Sequence, residues 1–130
     1  MFDEIIIAIG INEAKRGYFT VDQRKEMINT LYQDNDKVSV ASYKILTVDF
    51  AQERSAKYIL RGIRSVNDFE YEKTIADVNR ELTGVETIIF FTEPKYTHIS
   101  STIVRELIRY KKNVSEFVPA GIRIEGYIKK

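Results

Sequence analysis

Short β-branched runs alternate along this chain with segments whose apolar residues recur every three or four positions. No other feature restricts the fold as much. Ile5-Ile6-Ile7-Ala8-Ile9 is a continuous run of the kind found in strands covered on both faces. Lys37 to Tyr43 sets Val38 and Val40 against Ser39 and Ser42, the pattern of a half-exposed strand. Tyr58-Ile59-Leu60 reads as a third strand, broken at Arg61-Gly62, and Thr87-Ile88-Ile89-Phe90-Phe91 as a fourth.

The intervening segments read as helices. Thr20-Val21-Asp22-Gln23 has capping-box spacing, followed by Met27, Ile28, Leu31 and Tyr32 at helical steps. Thr47 can cap a short helix reaching Ser55. Asn67-Asp68-Phe69-Glu70 can cap a longer one, with Ile75, Val78 and Leu82 on one face and Gly84 as its stop. Ser100 or Ser101 opens a helix whose buried stripe is Ile103, Val104, Leu107 and Ile108. Pro119 can start a last, weaker helix ending in Ile128-Lys129-Lys130. Strands separated by such helices pair in parallel through right-handed crossovers. The expected fold class is therefore α/β, a three-layer parallel-sheet architecture in one compact domain over residues 1–130.

Composition removes several functions. The chain has 130 residues and no cysteine, which excludes disulfides, thiol nucleophiles and Cys-ligated zinc. A single histidine excludes multi-histidine metal sites and makes a Ser-His pair a remote prospect. The net charge of +1 argues against a general nucleic-acid or membrane-surface binder. No signal-peptide pattern precedes the first apolar run, so a cytoplasmic protein with no membrane span is expected. Neither G-x-x-x-x-G-K-[ST] nor G-x-G-x-x-G occurs.

In parallel α/β sheets ligands bind beyond the carboxyl ends of the strands. There the sequence places Lys15 and Arg16, then Arg61-Gly62-Ile63-Arg64, then Lys95, a cationic edge suited to a phosphate-bearing ligand. Arg61 and Arg64 either grip different oxygens of a polyphosphate or pair on the surface with Asp68 or Glu70. Ser100-Ser101-Thr102 either offers hydroxyls and free N–H groups to a phosphate or simply caps a helix. Glu70 and Glu72 either accept from a ribose hydroxyl, hold Arg64, or form a solvated face, and Tyr71 between them is expected to be partly buried. His98 is either a ligand contact or an incidental loop residue.

As a set, these residues resemble a known family. Arg61-Gly62-Ile63-Arg64-Ser65-Val66-Asn67-Asp68-Phe69-Glu70-Tyr71-Glu72 closely resembles the signature block of bacterial phosphopantetheine adenylyltransferases. Ile99-Ser100-Ser101-Thr102-Ile103-Val104-Arg105 is similar to the I-S-S-T-x-x-R motif of the wider nucleotidyltransferase superfamily. The resemblance implies a Rossmann-like nucleotidyltransferase fold. It implies attack of the 4′-phosphopantetheine phosphate on the α-phosphorus of ATP, giving dephospho-coenzyme A and pyrophosphate, with Mg2+ carried on the ATP phosphates and no protein metal ligand. It further implies that Lys15 binds the acceptor phosphate and steadies the pentacovalent centre. Thr47 and Arg61 would contact phosphopantetheine. Gly62, Ile63, Arg64 and Glu72, with Tyr96, Thr97, His98, Ile99, Ser100, Ser101 and Thr102, would form the ATP site, and Lys15 and Arg64 would be catalytic. A homo-oligomer, a hexamer in the family, and feedback by coenzyme A belong to the same implication.

The sequence departs from the family at one point. Family members open with a strand, a turn and a helix bearing T-x-G-H or H-x-G-H, and these 130 residues contain no Gly-His pair. The expectation is a chain whose first strand and helix, ~two dozen residues at ordinary element lengths, are missing. Such a chain would be poorly soluble alone and nearly inactive; a cooperative high-temperature melt would contradict the first expectation. Two other readings stay open. One is another adenylyltransferase of the superfamily, such as one acting on nicotinate mononucleotide, which the D-F-E-Y-E block disfavours. The other is a non-catalytic ATP- or coenzyme A-binding module.

Overall fold

The computed structural model describes residues 1–14 and 17–128. Strands and helices alternate as β1 (Ile5–Gly10), α1 (Val21–Tyr32), β2 (Val38–Tyr43), α2 (Thr47–Glu53), β3 (Tyr58–Ile63), α3 (Val66–Thr83), β4 (Glu86–Phe91) and α4 (Ser101–Arg109). Short 3-10 helices span Pro94–Tyr96 and Ile124–Tyr127. The backbone gathers into two compact units, residues 1–44 with the chain from 101 onward, and residues 45–100.

Every strand pairing is parallel, as the alternation of periods requires, so the α/β class stands. The ladders divide into two two-stranded sheets, β1 with β2 and β3 with β4. Alternation specifies parallel pairing but not which strands become neighbours, and among the described residues each strand has a ladder partner on one side only. In β1 only Ile9 is buried, not the whole apolar run.

In the first unit α1 starts at a complete capping box. The Thr20 hydroxyl accepts from the Gln23 N–H, and the Gln23 side chain accepts from the Thr20 N–H. A separate core forms where α4 meets the chain after it, from Ile108, Val114 and Ile124 with Phe19, Val104 and Leu107 against them. Ile103, expected in the buried stripe of α4, is 43% exposed. The helix expected from Pro119 is replaced by turns and the 3-10 helix Ile124–Tyr127. Ile124 is buried and Ile122 and Ile128 partly buried by packing, without a continuous helical hydrogen-bond ladder.

In the second unit the core is Val48 and Ala51 of α2 with Val85, joined by Ala56 and Ile59. Helix α2 begins after Leu46, which supplies no side-chain cap, so Thr47 is its first residue and not its cap. Strand β3 does not break at Arg61-Gly62. It runs to Ile63 because Arg61 and Gly62 sit in the ladder opposite Ile89 and Phe90, and that pairing overrides the weak strand preference of glycine.

Helix α3 starts at Ser65, earlier than Asn67-Asp68 suggested, and the Ser65 hydroxyl accepts from the Asp68 N–H at 3.1 Å. It ends at Gly84, whose N–H still donates to the Arg80 carbonyl at 2.8 Å and whose φ of 77° then turns the chain out of the helix. Its least exposed positions are Asp68, Glu72, Ala76, Asn79 and Thr83, whereas Val78 and Leu82 are 52% and 62% exposed. The inner stripe is thus small and polar, and the apolar face is turned outward. Tyr71 is 65% exposed, contrary to expectation, because it lies off that inner stripe.

Val48, only 2% exposed, and Gly84 set the scale of stability in this unit. Val48→Ala is expected to cost about 2 kcal/mol through loss of buried methyls. Gly84→Ala is expected to cost about 1 kcal/mol through the left-handed backbone. Urea unfolding of each variant against the parent chain measures both.

Candidate active site

Parallel pairing sends β3 and β4 to a common edge, where Ile63 stands opposite Phe91 and the Thr92 N–H donates to the Ile63 carbonyl at 2.9 Å. Arg64 follows Ile63 at that edge. Its backbone N–H donates to Asp68 Oδ2 at 3.0 Å, and its guanidinium Nε lies 3.5 Å from the same oxygen. Its Nη1 donates to the Ile99 carbonyl at 3.0 Å. One arginine therefore ties the end of β3 to the first turn of α3 and to the loop after β4.

That loop is built locally. Glu93-Pro94-Lys95-Tyr96 turns through the 3-10 helix, the Tyr96 N–H donating to Glu93 and the Ile99 N–H to Tyr96. The Thr97 hydroxyl donates to the Pro94 carbonyl at 2.9 Å. Lys95 lies 3.2 Å from Glu93 Oε2 and over the Tyr96 ring at 4.8 Å. The hydrogen bond to Glu93 holds its ammonium above the usual lysine range, with Tyr96 adding to the effect. His98 is exposed, and Ile99 and Ser100 are half-buried.

Arg61 lies inside β3, and its guanidinium forms a fork with Glu72 of α3. Nε donates to Oε2 at 3.0 Å and Nη2 to Oε1 at 2.7 Å. Of the options open for Glu72, the hold on Arg64 is not made: Glu72 holds Arg61, and Arg64 pairs with Asp68, one of the acids expected for it. The Ile63 side chain is 5% exposed, so only its main chain is at the sheet edge. Gly62 has open space where a Cβ would stand. Thr47 is exposed at the start of α2.

In the other unit the carboxyl ends of β1 and β2 border an open cleft of about 390 Å3 lined by Ile11, Asn12, Glu13, Ala14 and Lys44. The Ala14 N–H donates to Asn12 Oδ1 at 3.0 Å, and Lys44 Nζ is 3.3 Å from Glu13 Oε1. Lys15 lies outside the described residues, as does Arg16. Lys44, directly after β2, was not among the expected site residues, although a cation in the segment after a parallel strand was the signal that singled out the others. Helix α4 begins at Ser101, with Ser101 and Thr102 exposed and Arg105 Nη2 donating to Thr102 Oγ1 at 3.3 Å. Among the described residues, no three His, Asp or Glu side chains gather to hold a metal, and no helix is long and apolar enough to cross a membrane.

The cytidylyltransferase-like family model matches residues 1–107. The phosphopantetheine adenylyltransferase of Bacteroides thetaiotaomicron is 60% identical over 122 residues, 94% of this chain and 81% of that protein. The chain belongs to the cytidylyltransferase-like family. Within this family it is also similar to the phosphopantetheine adenylyltransferases of Phocaeicola vulgatus, 54% identical over 95% of the chain and 82% of the relative, and Porphyromonas gingivalis strain W83, 46% identical over 96% and 82%. In this cytidylyltransferase-like chain the cations beyond β3 and β4 are each held by a neighbouring acid.

Two measurements test the loop geometry. Arg64→Ala is expected to speed amide hydrogen exchange from Tyr96 to Ser100 while leaving β4 protected, because it frees the Ile99 carbonyl. Glu93→Gln is expected to bring the Lys95 pKa down toward the ordinary lysine value, read by NMR titration. The sign follows from the raised value: the Lys95–Glu93 contact persists below the ordinary lysine pKa and is lost as pH rises through the raised one.

Proposed function

We propose that this chain serves adenylyl transfer from ATP to 4′-phosphopantetheine, the activity carried in its relatives' names. The observation that supports this reading most is the pair Arg61 and Arg64, separately oriented by Glu72 and Asp68 of one helix. Two fixed guanidiniums at a strand end suit two different phosphate groups. In this reading Lys15, Thr47 and Arg61 serve the phosphopantetheine side. Gly62, Ile63, Arg64, Glu72 and the segment from Tyr96 to Thr102 serve ATP.

The acceptor phosphate supplies the nucleophile, so the chain's task is positioning and charge stabilisation, with no covalent protein intermediate. Arg64 would stabilise charge on the phosphates while keeping the Tyr96–Ser100 loop in place. Lys15 would hold the attacking phosphate. The acids beside Arg61, Arg64 and Lys95, namely Glu72, Asp68 and Glu93, already face a cation, so Mg2+ fits as an ion carried on the ATP phosphates. When bound it would draw charge off the bridging oxygens. A cytoplasmic location, a homo-oligomer and coenzyme A as a feedback ligand belong to the same proposal.

A second reading is a non-catalytic ATP- or coenzyme A-binding module, in which each guanidinium stays paired with its own acid. The deciding experiment combines calorimetric binding of ATP and of 4′-phosphopantetheine with mass-spectrometric detection of dephospho-coenzyme A. The expected outcome is that both ligands bind and product forms slowly but above the uncatalysed background, with nicotinate mononucleotide rejected as acceptor. Arg64→Ala should lower product at least tenfold. Binding with no product above background would establish the module reading, and binding of neither ligand would overturn both.

A further inference from the structure

We propose that the loop from Tyr96 to Ser100 senses whether the phosphate position at Arg64 is filled. An anion taken by this guanidinium tightens the loop, and a loosened loop weakens the hold on the anion. This inference rests on the functional reading above, in which Arg64 and the segment from Tyr96 to Thr102 both serve ATP. It adds a coupling between the two.

The coupling element is the guanidinium itself. Its Nη1 donates to the Ile99 carbonyl at 3.0 Å, and its Nε lies 3.5 Å from Asp68 Oδ2. Among the described residues Nη2 donates no hydrogen bond, and the side chain is 42% exposed. An oxyanion arriving from solvent therefore finds a donor at Nη2 without displacing Ile99. A guanidinium is rigid and planar, so an anion that fixes Nη2 also fixes Nη1 and the carbonyl bound to it. The backbone adds little play. The Arg64 N–H is held by Asp68 at 3.0 Å, and the preceding residue, Ile63, sits in the ladder opposite Phe91.

The bonds that shape the loop from within are short in range. The Tyr96 N–H donates to Glu93, the Thr97 hydroxyl to Pro94 and the Ile99 N–H to Tyr96, each across three positions. Such bonds define turns but do not fix where the turns sit against α3. The bond from Arg64 to Ile99 spans 35 residues and does fix it. Lysine at position 64 would keep the charge and the backbone bond to Asp68. Its single ammonium on a flexible stem has no plane through which to pass the constraint on.

The probe is inorganic pyrophosphate, which offers phosphate chemistry with no base to touch the loop. Amide hydrogen exchange of the full chain is read by NMR with and without saturating pyrophosphate, for the parent and Arg64→Lys. Pyrophosphate affinity is measured by calorimetry for the parent, Arg64→Lys and Pro94→Gly, each checked for folding by circular dichroism. In the parent, pyrophosphate is expected to slow exchange from Tyr96 to Ser100 about fivefold while β4 is unchanged. Arg64→Lys should show no slowing. Pro94→Gly loosens the 3-10 turn and leaves Arg64 in place, so by reciprocity it should weaken pyrophosphate binding about fivefold.

Pyrophosphate that binds while loop exchange stays the same or speeds up overturns the inference and leaves the functional reading standing. Slowing that survives in Arg64→Lys does the same, as does unchanged affinity in a folded Pro94→Gly. A parent chain that binds ATP but not pyrophosphate also overturns the inference alone, whereas one that binds neither brings down both. Should either variant fail to fold, or Arg64→Lys no longer bind, loop exchange in the parent decides.

Discussion

Parallel pairing is the constraint on which the remaining geometry depends. Parallel neighbours cannot be joined by a tight turn, so each pair needs a crossover long enough to contain a helix. The crossover in turn sends both carboxyl ends the same way. In the 45–100 unit α3 returns the chain from Ile63 to Glu86, and the segments after β3 and β4 therefore emerge side by side. Arg64 and the Ile99 carbonyl are 35 residues apart in sequence and 3.0 Å apart in space for this reason.

Onto that frame α3 adds acids at intervals that match the strand beneath it. Asp68 and Glu72 are four residues apart, one helical turn, while Arg64 and Arg61 are three residues apart at the end of β3. Each acid meets one arginine, and no carboxylate is shared between them. The near-neutral total charge of the chain is thus matched locally, with positive groups on display and their counter-charges set behind them or beside them. Because the counter-charges remain, what these arginines present is directional more than it is a bulk field.

Local periods were legible in the sequence, and so was everything that depends on them alone. The Thr20 capping box, the Gly84 stop and the parallel class were readable from spacing, and the block from Arg61 to Glu72 from its resemblance to a known family. What depends on distant pairing was not. Gly62 looked like a strand break because its partner Phe90 could not be inferred from its neighbours. Ile75, Val78 and Leu82 marked an apolar helix face, yet the face nearest the interior carries Glu72, Ala76 and Asn79. A polar stripe is unreadable as an inner face until the strand cation it satisfies is placed opposite it. Ile63 could be named in the site but its side chain's burial could not, since strand alternation across Gly62 was itself uncertain. Lys44 was passed over for a simpler reason: the cationic loops were sought only after three of the four strands.

The corner between β3 and α3 has a consequence for how this site can change. Asp68 receives two different parts of residue 64, its backbone N–H and its guanidinium. The first bond is available to every amino acid except proline, whereas the second and the reach to Ile99 belong to arginine. The shape of the corner and its chemistry are therefore written in separate bonds that happen to share one acceptor. Replacing the side chain at this position rewrites what the edge can hold without unmaking the bend that presents it.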